Sequence, residues 1–508
     1  MEYLNAPGDA AGMDILCVDK TGTLTINKLS VAKVDAAKDF TENDVLLYGA
    51  LASKEADHDP IDMAFINYAK QKSISTTTFV QKTFVPFDLK NRKTEAVIVK
   101  EKQEFKVMKG AFSSIAQACT LDEKSVNDWN AKINEFAKEG YRDLAVAITN
   151  TNDKPRFVGL VALHDAPRTD SKKLIDELKN LGISVKMLTG DALPIAMQIA
   201  KAVDLGDAII KASELRKADK IKIVELLEIN NGVAEVYPED KYTIVKAFQA
   251  KGHIVGMTGD GVNDAPALKQ AEVGVAVSSA TDVAKGAASI VLTQEGLTNI
   301  LSPIKIGRVM FERLNIWILN KIATTILKTC FVVFPFLLLG KYTISTSGML
   351  LLLFMNDFVI ISLSTDNVKG SEKPVKLNIN NLLKIGIVMG GLMIIEAFGL
   401  LYIGLHYFNL SKDNNALGTY CFEVLLFFAS FSIFVVREKR HFWNSAPSKT
   451  LLLLIIADMI LGIAFSTFGL LGFKAIPLIQ TIVIVLYIAM FSFTFNDLIK
   501  VILFKKWS

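Results

Sequence analysis

The stretch Ile15-Leu-Cys-Val-Asp-Lys-Thr-Gly-Thr-Leu-Thr25 decides the reading of this chain. Its first four residues are a short apolar run, two of them β-branched, of the kind that forms a buried strand. The run ends at Asp19. A carboxylate at the C-terminal end of a parallel strand stands where open α/β sheets bind their ligands. It can attack a phosphoryl group and form an aspartyl phosphate, a recognised covalent strategy. An isolated Asp-Lys pair would be read as a strand ending at a turn. Seven consecutive residues of this kind, Asp19 to Thr25, point instead to chemistry.

Similar runs recur at Val185 to Leu188, His253 to Met257 and Val273 to Val277, separated by helical patterns such as Ser171 to Leu181. That alternation predicts a parallel sheet with covering helices. Between about residues 35 and 160 the rhythm changes to polar loops and hairpin-like runs, for example Phe105 to Met108. This stretch reads as a second domain inserted into the first, returning near Asp165-Ala-Pro-Arg168, where proline sets a hinge-like connection. The expected borders are 1–34 and 165–298 for the two parts of the sheet domain, 35–164 for the insert, and 299–508 for a third, C-terminal domain.

Composition gives the character of that third domain. The chain has 508 residues, 51% of them hydrophobic, and a mean hydropathy of +0.34, high for a wholly soluble protein. The excess lies after residue 314, in apolar segments at about 314–340, 349–364, 382–407, 420–436, 451–473 and 475–498. Each is near the roughly 20 residues that cross a bilayer as a helix, the second being short. Six spans put both flanks on one side. Lys369, Lys373, Lys376, Arg437, Lys439, Arg440, Lys505 and Lys506 fall on that side, so the sheet domains are expected in the cytoplasm. A net charge of +4, with no basic-aromatic stripe, argues against a nucleic-acid partner. Four scattered cysteines suit a reducing compartment. Met1 to Ala11 makes no cleavable signal peptide, which leaves targeting to the internal spans.

Three further motifs handle phosphate. Thr189-Gly190-Asp191 follows the second strand, and its hydroxyl and backbone N–H groups can hold phosphate oxygens. Alone, that tripeptide is weak and reads more readily as a plain turn. Thr258-Gly-Asp-Gly-Val-Asn-Asp-Ala-Pro266 follows the third strand and offers Asp260 as a hard oxygen ligand for Mg²⁺, with Asn263 and Asp264 in reach of the same cluster. Pro238-Glu-Asp-Lys241 supplies a lysine that can neutralise phosphoryl charge, or that simply sits on a solvated helix start.

Together these residues resemble the haloacid-dehalogenase-like phosphotransferase core, and specifically that of P-type ATPases. The resemblance implies a catalytic set of Asp19, Lys20, Thr21, Thr189, Gly190, Asp191, Lys241, Asn263 and Asp264, with Mg²⁺ held by Asp19, Thr21 and Asp260. In the soluble phosphatases of that superfamily the residue two after the nucleophile is an acid that activates water. Here it is Thr21, so the phosphoenzyme is expected to persist as a transport intermediate. The fold implied is a Rossmann-like α/β phosphorylation domain, an inserted α+β nucleotide-binding domain and an all-α domain of six transmembrane helices. In the insert, Asp62, Phe87, Arg92, Lys109, Gly110 and Arg142 fall where the family contacts ATP. Phe87 would stack on adenine, with Lys109 and Arg142 toward the phosphates and ribose. Phe112 departs from the family, which has proline after Lys-Gly-Ala.

Asp19 to Leu29, His253 to Val277 and the compact insert look most like the proton-pumping plasma-membrane group. An intramembrane carboxylate is a functional hypothesis by default, and Asn356-Asp357 sits in mid-apolar surroundings. That group has Asn-Asp followed by glycine, whereas this chain has Phe358. Lys328 and Lys321 are the nearest candidate cations, and Asn356, Asp357 and Lys328 make the expected ion path. Glu396, Glu423 and Asp458 read first as packing or interfacial groups. The family's actuator domain and four earlier spans are expected either on another polypeptide, an N-terminal-half partner, or on the part missing from a truncated pump. The alternatives are a non-pumping, membrane-anchored nucleotide-binding fragment, or a pump for another cation. A soluble phosphatase is disfavoured by the spans.

Overall fold

The computed structural model describes residues 6–507 apart from 89, 90, 102, 151–153, 295, 298, 341 and 377. The expected border at 298 and the first five residues of the leading stretch therefore lie outside the described residues. The chain divides into two units, Met1–Ile304 with Glu372–Pro374, and Lys305–Ser371 with Val375–Ser508.

The strands of the first unit, in chain order, are β1 (Ile15–Asp19), β2 (Thr25–Ala36), β3 (Val80–Asp88), β4 (Lys93–Lys100), β5 (Gln103–Gly110), β6 (Arg142–Asn150), β7 (Arg156–Pro167), β8 (Ser184–Leu188), β9 (Ile209–Lys211), β10 (Gly232–Ala234), β11 (Val255–Gly259), β12 (Val273–Ala276) and β13 (Ile290–Val291). Seven of these form a parallel sheet in the order β13-β12-β11-β1-β8-β10-β9. β1 lies at the switch, with β8 to β10 extending the sheet to one side and β11 to β13 to the other. β1 is an unbroken apolar run because both faces of the sheet are covered. Leu16 and Val18 pack with Ile175 and Met187 on one face, while Ile15 and Cys17 pack with Phe248 and Met257 on the other. Each fully buried Leu, Ile or Val there contributes about 1.5–3 kcal/mol of apolar transfer.

The other six strands form an antiparallel sheet in the order β2-β7-β6-β5-β4-β3. β1 leads to it through the tight turn Lys20–Leu24, where Gly22 takes φ 71, a left-handed conformation that suits glycine. β2 begins at Thr25, and Thr25 pairs with Pro167 at the far end of β7. The chain thus leaves and returns on two adjacent strands. β6 is covered on both faces: Leu144 and Val146 meet Val45 and Phe65, and Ala145 and Ala147 meet Phe112 and Phe136. β3 is the exposed edge, where Pro86 withholds no needed hydrogen bond.

The second unit is helical. Six of its helices are long and apolar enough to cross a membrane: span 1 (Leu301–Leu338), span 2 (Thr346–Thr365), span 3 (Ile379–His406), span 4 (Asn414–Val436), span 5 (Lys449–Phe468) and span 6 (Leu478–Trp507). The chain is a multi-pass membrane protein. Span 4 is 94% buried along its apolar window, so it forms the centre of the bundle. Two helices outrun the hydropathy signal. The first starts at Leu301, ahead of its apolar run, and its opening turns carry Lys305, Arg308, Glu312 and Arg313. The last continues to Trp507 past the charged Asp497 and Lys500.

Polar side chains tie the spans together. Ser432 donates to Asn320 at 2.6 Å, Thr481 to Glu423 at 2.9 Å, Asn496 to Glu396 at 3.0 Å and Ser430 to Asp458 at 3.4 Å. At one end, Asp366 is fully buried against Arg437 at 2.8 Å and accepts the Ser448 N–H at 2.9 Å, while its carbonyl accepts from Arg313. The ends of spans 2 and 4 and the start of span 5 are joined there by one carboxylate.

Candidate active site

β1 and β11 are neighbours in register, so the loops after Asp19 and Gly259 meet. Asp19, Asp260 and Asp264 each present a carboxylate oxygen within 4.8 Å of the others. Lys241 enters from the first turn of the helix Pro238–Ala250, with Nζ 2.9 Å from Asp19 Oδ1 and 2.6 Å from Asp264 Oδ1. Proline at the start of that helix lacks the N–H that would go unused there. The N–H groups of Asp260 and Gly261 donate to Asp264 Oδ2, and the Asp19 N–H donates to the Thr258 hydroxyl. Gly259 is required by the close approach: a Cβ there would lie 2.5 Å from that of Asp264.

Burial pushes the Asp19 carboxyl up to about 7, with Lys241 opposing and Asp264 and Asp260 adding. Burial and then Asp264 raise Asp260 as well. Burial alone would lower Lys241, but Asp19 and Asp264 outweigh it and hold the ammonium above its usual value. Three carboxylates against one ammonium leave an excess of hard, negative oxygen, a donor set that suits Mg²⁺. Asp264 belongs to that set alongside Asp19 and Asp260. Thr21 is half-buried in the turn beside it. Asn263 is exposed on the short turn Val262–Asp264.

A second ionic cluster adjoins. Lys20 Nζ lies 2.9 Å from Asp191 Oδ2 and 3.2 Å from Asp165 Oδ2, and all three side chains are buried. The Thr25 hydroxyl donates to the same Asp165 oxygen at 2.6 Å. Arg142, at the start of β6 in the other sheet, donates to Asp191 Oδ1 at 2.8 Å. Burial would raise Asp191, but Lys20 and Arg142 outweigh it and hold that carboxyl below its usual range. Asp19 pairs in register with Leu188, so Thr189 and Gly190 follow one step beyond. The Thr189 hydroxyl accepts the Asp191 N–H at 3.1 Å, which fixes that turn. Thr25 closes the motif that begins at Asp19 but was given no role from the sequence, and Asp165 was marked there only by the hinge-like proline beside it.

The insert carries a cavity of about 710 Å³ lined by Asp62, Phe87, Lys109, Gly110, Arg142 and Leu144 among others. Phe87 is more than half exposed, an open aromatic face. Arg92 lines a neighbouring cavity of about 860 Å³ that shares Phe87 and Arg142. Its backbone is left-handed, with φ 52, and its carbonyl accepts the Ala111 N–H. Lys109 is placed differently from a free phosphate contact. Its ammonium is buried 2.5 Å from Asp62 Oδ1, bonded to the Ser53 hydroxyl and lying over the Phe65 ring.

In the second unit Asn356 is buried, and its amide nitrogen has no hydrogen-bond partner among the described residues. Asp357 is about half exposed and meets Lys321 at 3.5 Å. The cation at contact distance is therefore Lys321. Lys328 lies deeper, in the electrostatic neighbourhood of Lys321, Asp357 and Asp458.

The family profile of the haloacid dehalogenase-like hydrolases matches residues 13–272. A protein of Methanocaldococcus jannaschii named as a cation-transporting ATPase is 38% identical over 516 residues, covering 100% of this chain and 63% of that protein. A plasma membrane ATPase of Dunaliella bioculata is 36% identical over 405 residues, covering 76% of this chain and 36% of that protein. The chain thus spans less than two thirds of the length of either relative. It belongs to the haloacid dehalogenase-like hydrolase family, and its likeness within that family is to the P-type ATPases.

Proposed function

We propose that the chain is the ATP-consuming, autophosphorylating catalytic part of a P-type cation pump of the plasma membrane, with its two sheets in the cytoplasm. The observation that carries this reading is the meeting of Asp19, Asp260, Asp264 and Lys241 at the switch point of a parallel sheet. ATP would lie in the cavity at Phe87, with Arg142 reaching from the insert toward Asp191. An Asp19 carboxylate oxygen attacks the γ-phosphorus, and the bond to the ADP oxygen breaks as ADP leaves. Lys241 neutralises charge on the transferred group, and Lys20 holds Asp191 and Asp165 in place. Mg²⁺, when bound by Asp19, Asp260 and the Thr21 loop, supplies further charge neutralisation. Thr21 offers no carboxylate to activate water, so the aspartyl phosphate persists.

The lysines and arginines at one end of the spans support the cytoplasmic assignment. The relatives' names and the pair Asn356-Asp357 support cation transport, with the proton as the ion and Asp357 its carrier. The water-activating actuator and further spans are proposed to come from outside these 508 residues. Labelling with γ-phosphate-labelled ATP tests the reading: an acid-stable, hydroxylamine-sensitive phosphoenzyme is expected, and Asp19→Asn should abolish it. Undiminished labelling of that variant would move the nucleophile elsewhere.

A further inference from the structure

Spans 3 and 6 meet at a place that the phosphorylation chemistry does not use. Glu396 in span 3 is buried and accepts a hydrogen bond of 3.0 Å from Asn496 Nδ2. Asn496, only 2% exposed, lies in the widened turn Ser492–Asn496 that interrupts span 6. Single widened turns of this kind are rare in helices and occur frequently at functional sites. The Asn496 carbonyl oxygen, on the same amide, has no hydrogen-bond partner among the described residues. An unused acceptor therefore lies beside a buried acid.

The depth of the pair matters. Asn381 Nδ2 donates to the Trp507 carbonyl at 2.6 Å, which ties one end of span 3 to the end of span 6. Counting along each helix from that tie at 1.5 Å per residue puts Glu396 and Asn496 roughly 16–22 Å in, well inside a hydrocarbon core about 30 Å thick. No lysine or arginine pairs with Glu396 among the described residues. Span 1 packs on span 3 through Ile322 and Ile326 at Gly386 and Gly390, and nearer to Glu396 through Phe331 and Phe334 at Phe398. From span 4, Tyr420 donates to the Leu400 carbonyl and Glu423 is taken by Thr481. From span 6, the Tyr487 hydroxyl packs on Gly399, one turn from Glu396, while Asp497 is held by Lys500 and His441.

We propose that Glu396 and Asn496 form a proton-binding site in the membrane domain, separate from Asp357. A carboxylate charge without a cation is costly in hydrocarbon. Adding a proton from water forms one O–H bond at Glu396 and breaks none in the protein. The Asn496 amide has the same outline after a half-turn, and that turn brings its free oxygen round to accept the new O–H. A metal ion fits poorly: Ca²⁺ takes six to eight oxygens, and the site offers a carboxylate, one amide oxygen and one hydroxyl. The inference goes beyond the pump reading and does not depend on which ion Asp357 carries.

The test is infrared titration of the full chain in lipid nanodiscs, without ATP or any other polypeptide, so its failure leaves the reading at Asp19 untouched. The expected result is a protonated-carboxyl band that is present at neutral pH, fades as the pH is raised, and is lost in Glu396→Gln. Asn496→Leu should keep the band but shift its frequency and its titration midpoint. That second variant, with carboxyl-labelled glutamate, carries the test if Glu396→Gln does not fold. Spectra of Glu396→Gln identical to those of the unaltered chain at every pH would show a fixed structural hydrogen bond and overturn the proposal. Loss of the band on adding sodium or potassium at constant pH would overturn it in favour of a metal cation.

Discussion

Lys241 Nζ stands 2.9 Å from Asp19 Oδ1, so the proposed nucleophile already has its counter-charge in place. The same ammonium holds Asp264 at 2.6 Å, which makes it the hub between two carboxylates that would otherwise repel. Replacing it by methionine keeps most of the length and removes the charge. Phosphoenzyme formation in Lys241→Met should slow by about 10²–10³-fold, the typical effect of deleting one donor to a charge-developing centre. Rapid-quench labelling reads this. An unchanged rate would show that the lysine only spaces the loops.

Metal dependence should follow the carboxylate cluster. Chelation of Mg²⁺ should abolish labelling at Asp19 reversibly, and Asp260→Asn should raise the Mg²⁺ concentration needed for half-maximal labelling. Removing one charged oxygen weakens a hard-cation site without emptying it, because Asp19 and Asp264 remain within 4.8 Å of each other. Labelling that survives chelation would refute the metal assignment.

What the sequence made legible was local. β1 reads as a strand because its four apolar residues are adjacent, and the phosphate motifs follow their strands directly. The six spans are plain from run length. Pairings between distant residues were not legible. Lys20 finds Asp165 and Asp191, and Arg437 finds Asp366, across long separations that no periodicity encodes. The extent of span 6 was missed because Asp497 and Lys500 neutralise each other at 2.8 Å, so the helix buries charges that a hydropathy window counts as breaks. Lys109 looked like a ligand-facing lysine beside glycine. Only the fold reveals that Asp62 and Ser53 close over its ammonium.

The buried pair of Lys109 and Asp62 gives a stability prediction. Burial pulls the Lys109 ammonium below its usual value, with Asp62 resisting. Breaking a buried pair by removing one partner costs about 3–5 kcal/mol, because it strands the other charge. Lys109→Met should therefore lower the unfolding midpoint of the detergent-solubilised chain. The double variant Lys109→Met with Asp62→Leu should recover much of the loss. Additive losses in the double variant would show that the two groups do not act as a pair.

Arg142 links the two sheets of the first unit through Asp191 and also lines the Phe87 cavity. Its side chain is 52% exposed, so solvent weakens the bridge itself. The larger effect is expected on ligand. A hydrogen bond to a charged group is worth about 1.5–3 kcal/mol, or roughly 10–100-fold in affinity. Arg142→Ala should weaken ATP binding toward the lower end of that range, measured by equilibrium titration. Arg142→Lys should restore only part of it, since a single ammonium cannot reproduce the planar fork. Full affinity in the alanine variant would place the nucleotide away from β6.

The ion is the last matter, and Asp357 is its proposed carrier. A proton needs one group whose affinity changes between two access states, whereas Ca²⁺ requires many oxygen ligands at once. Asp357 meets an ammonium, Lys321, at 3.5 Å, with Lys328 farther along the same helix. Lysines beside a carboxylate repel a metal cation. The neighbouring Asn356 leaves its amide nitrogen without a partner among the described residues, a donor available to an oxygen that moves. Vesicles holding the chain together with its proposed actuator and further spans should therefore acidify on adding ATP, and Asp357→Asn should abolish acidification while sparing labelling at Asp19. Normal acidification by the asparagine variant would remove Asp357 as the carrier. ATP-driven accumulation of a metal ion with no pH change would assign the pump to that ion.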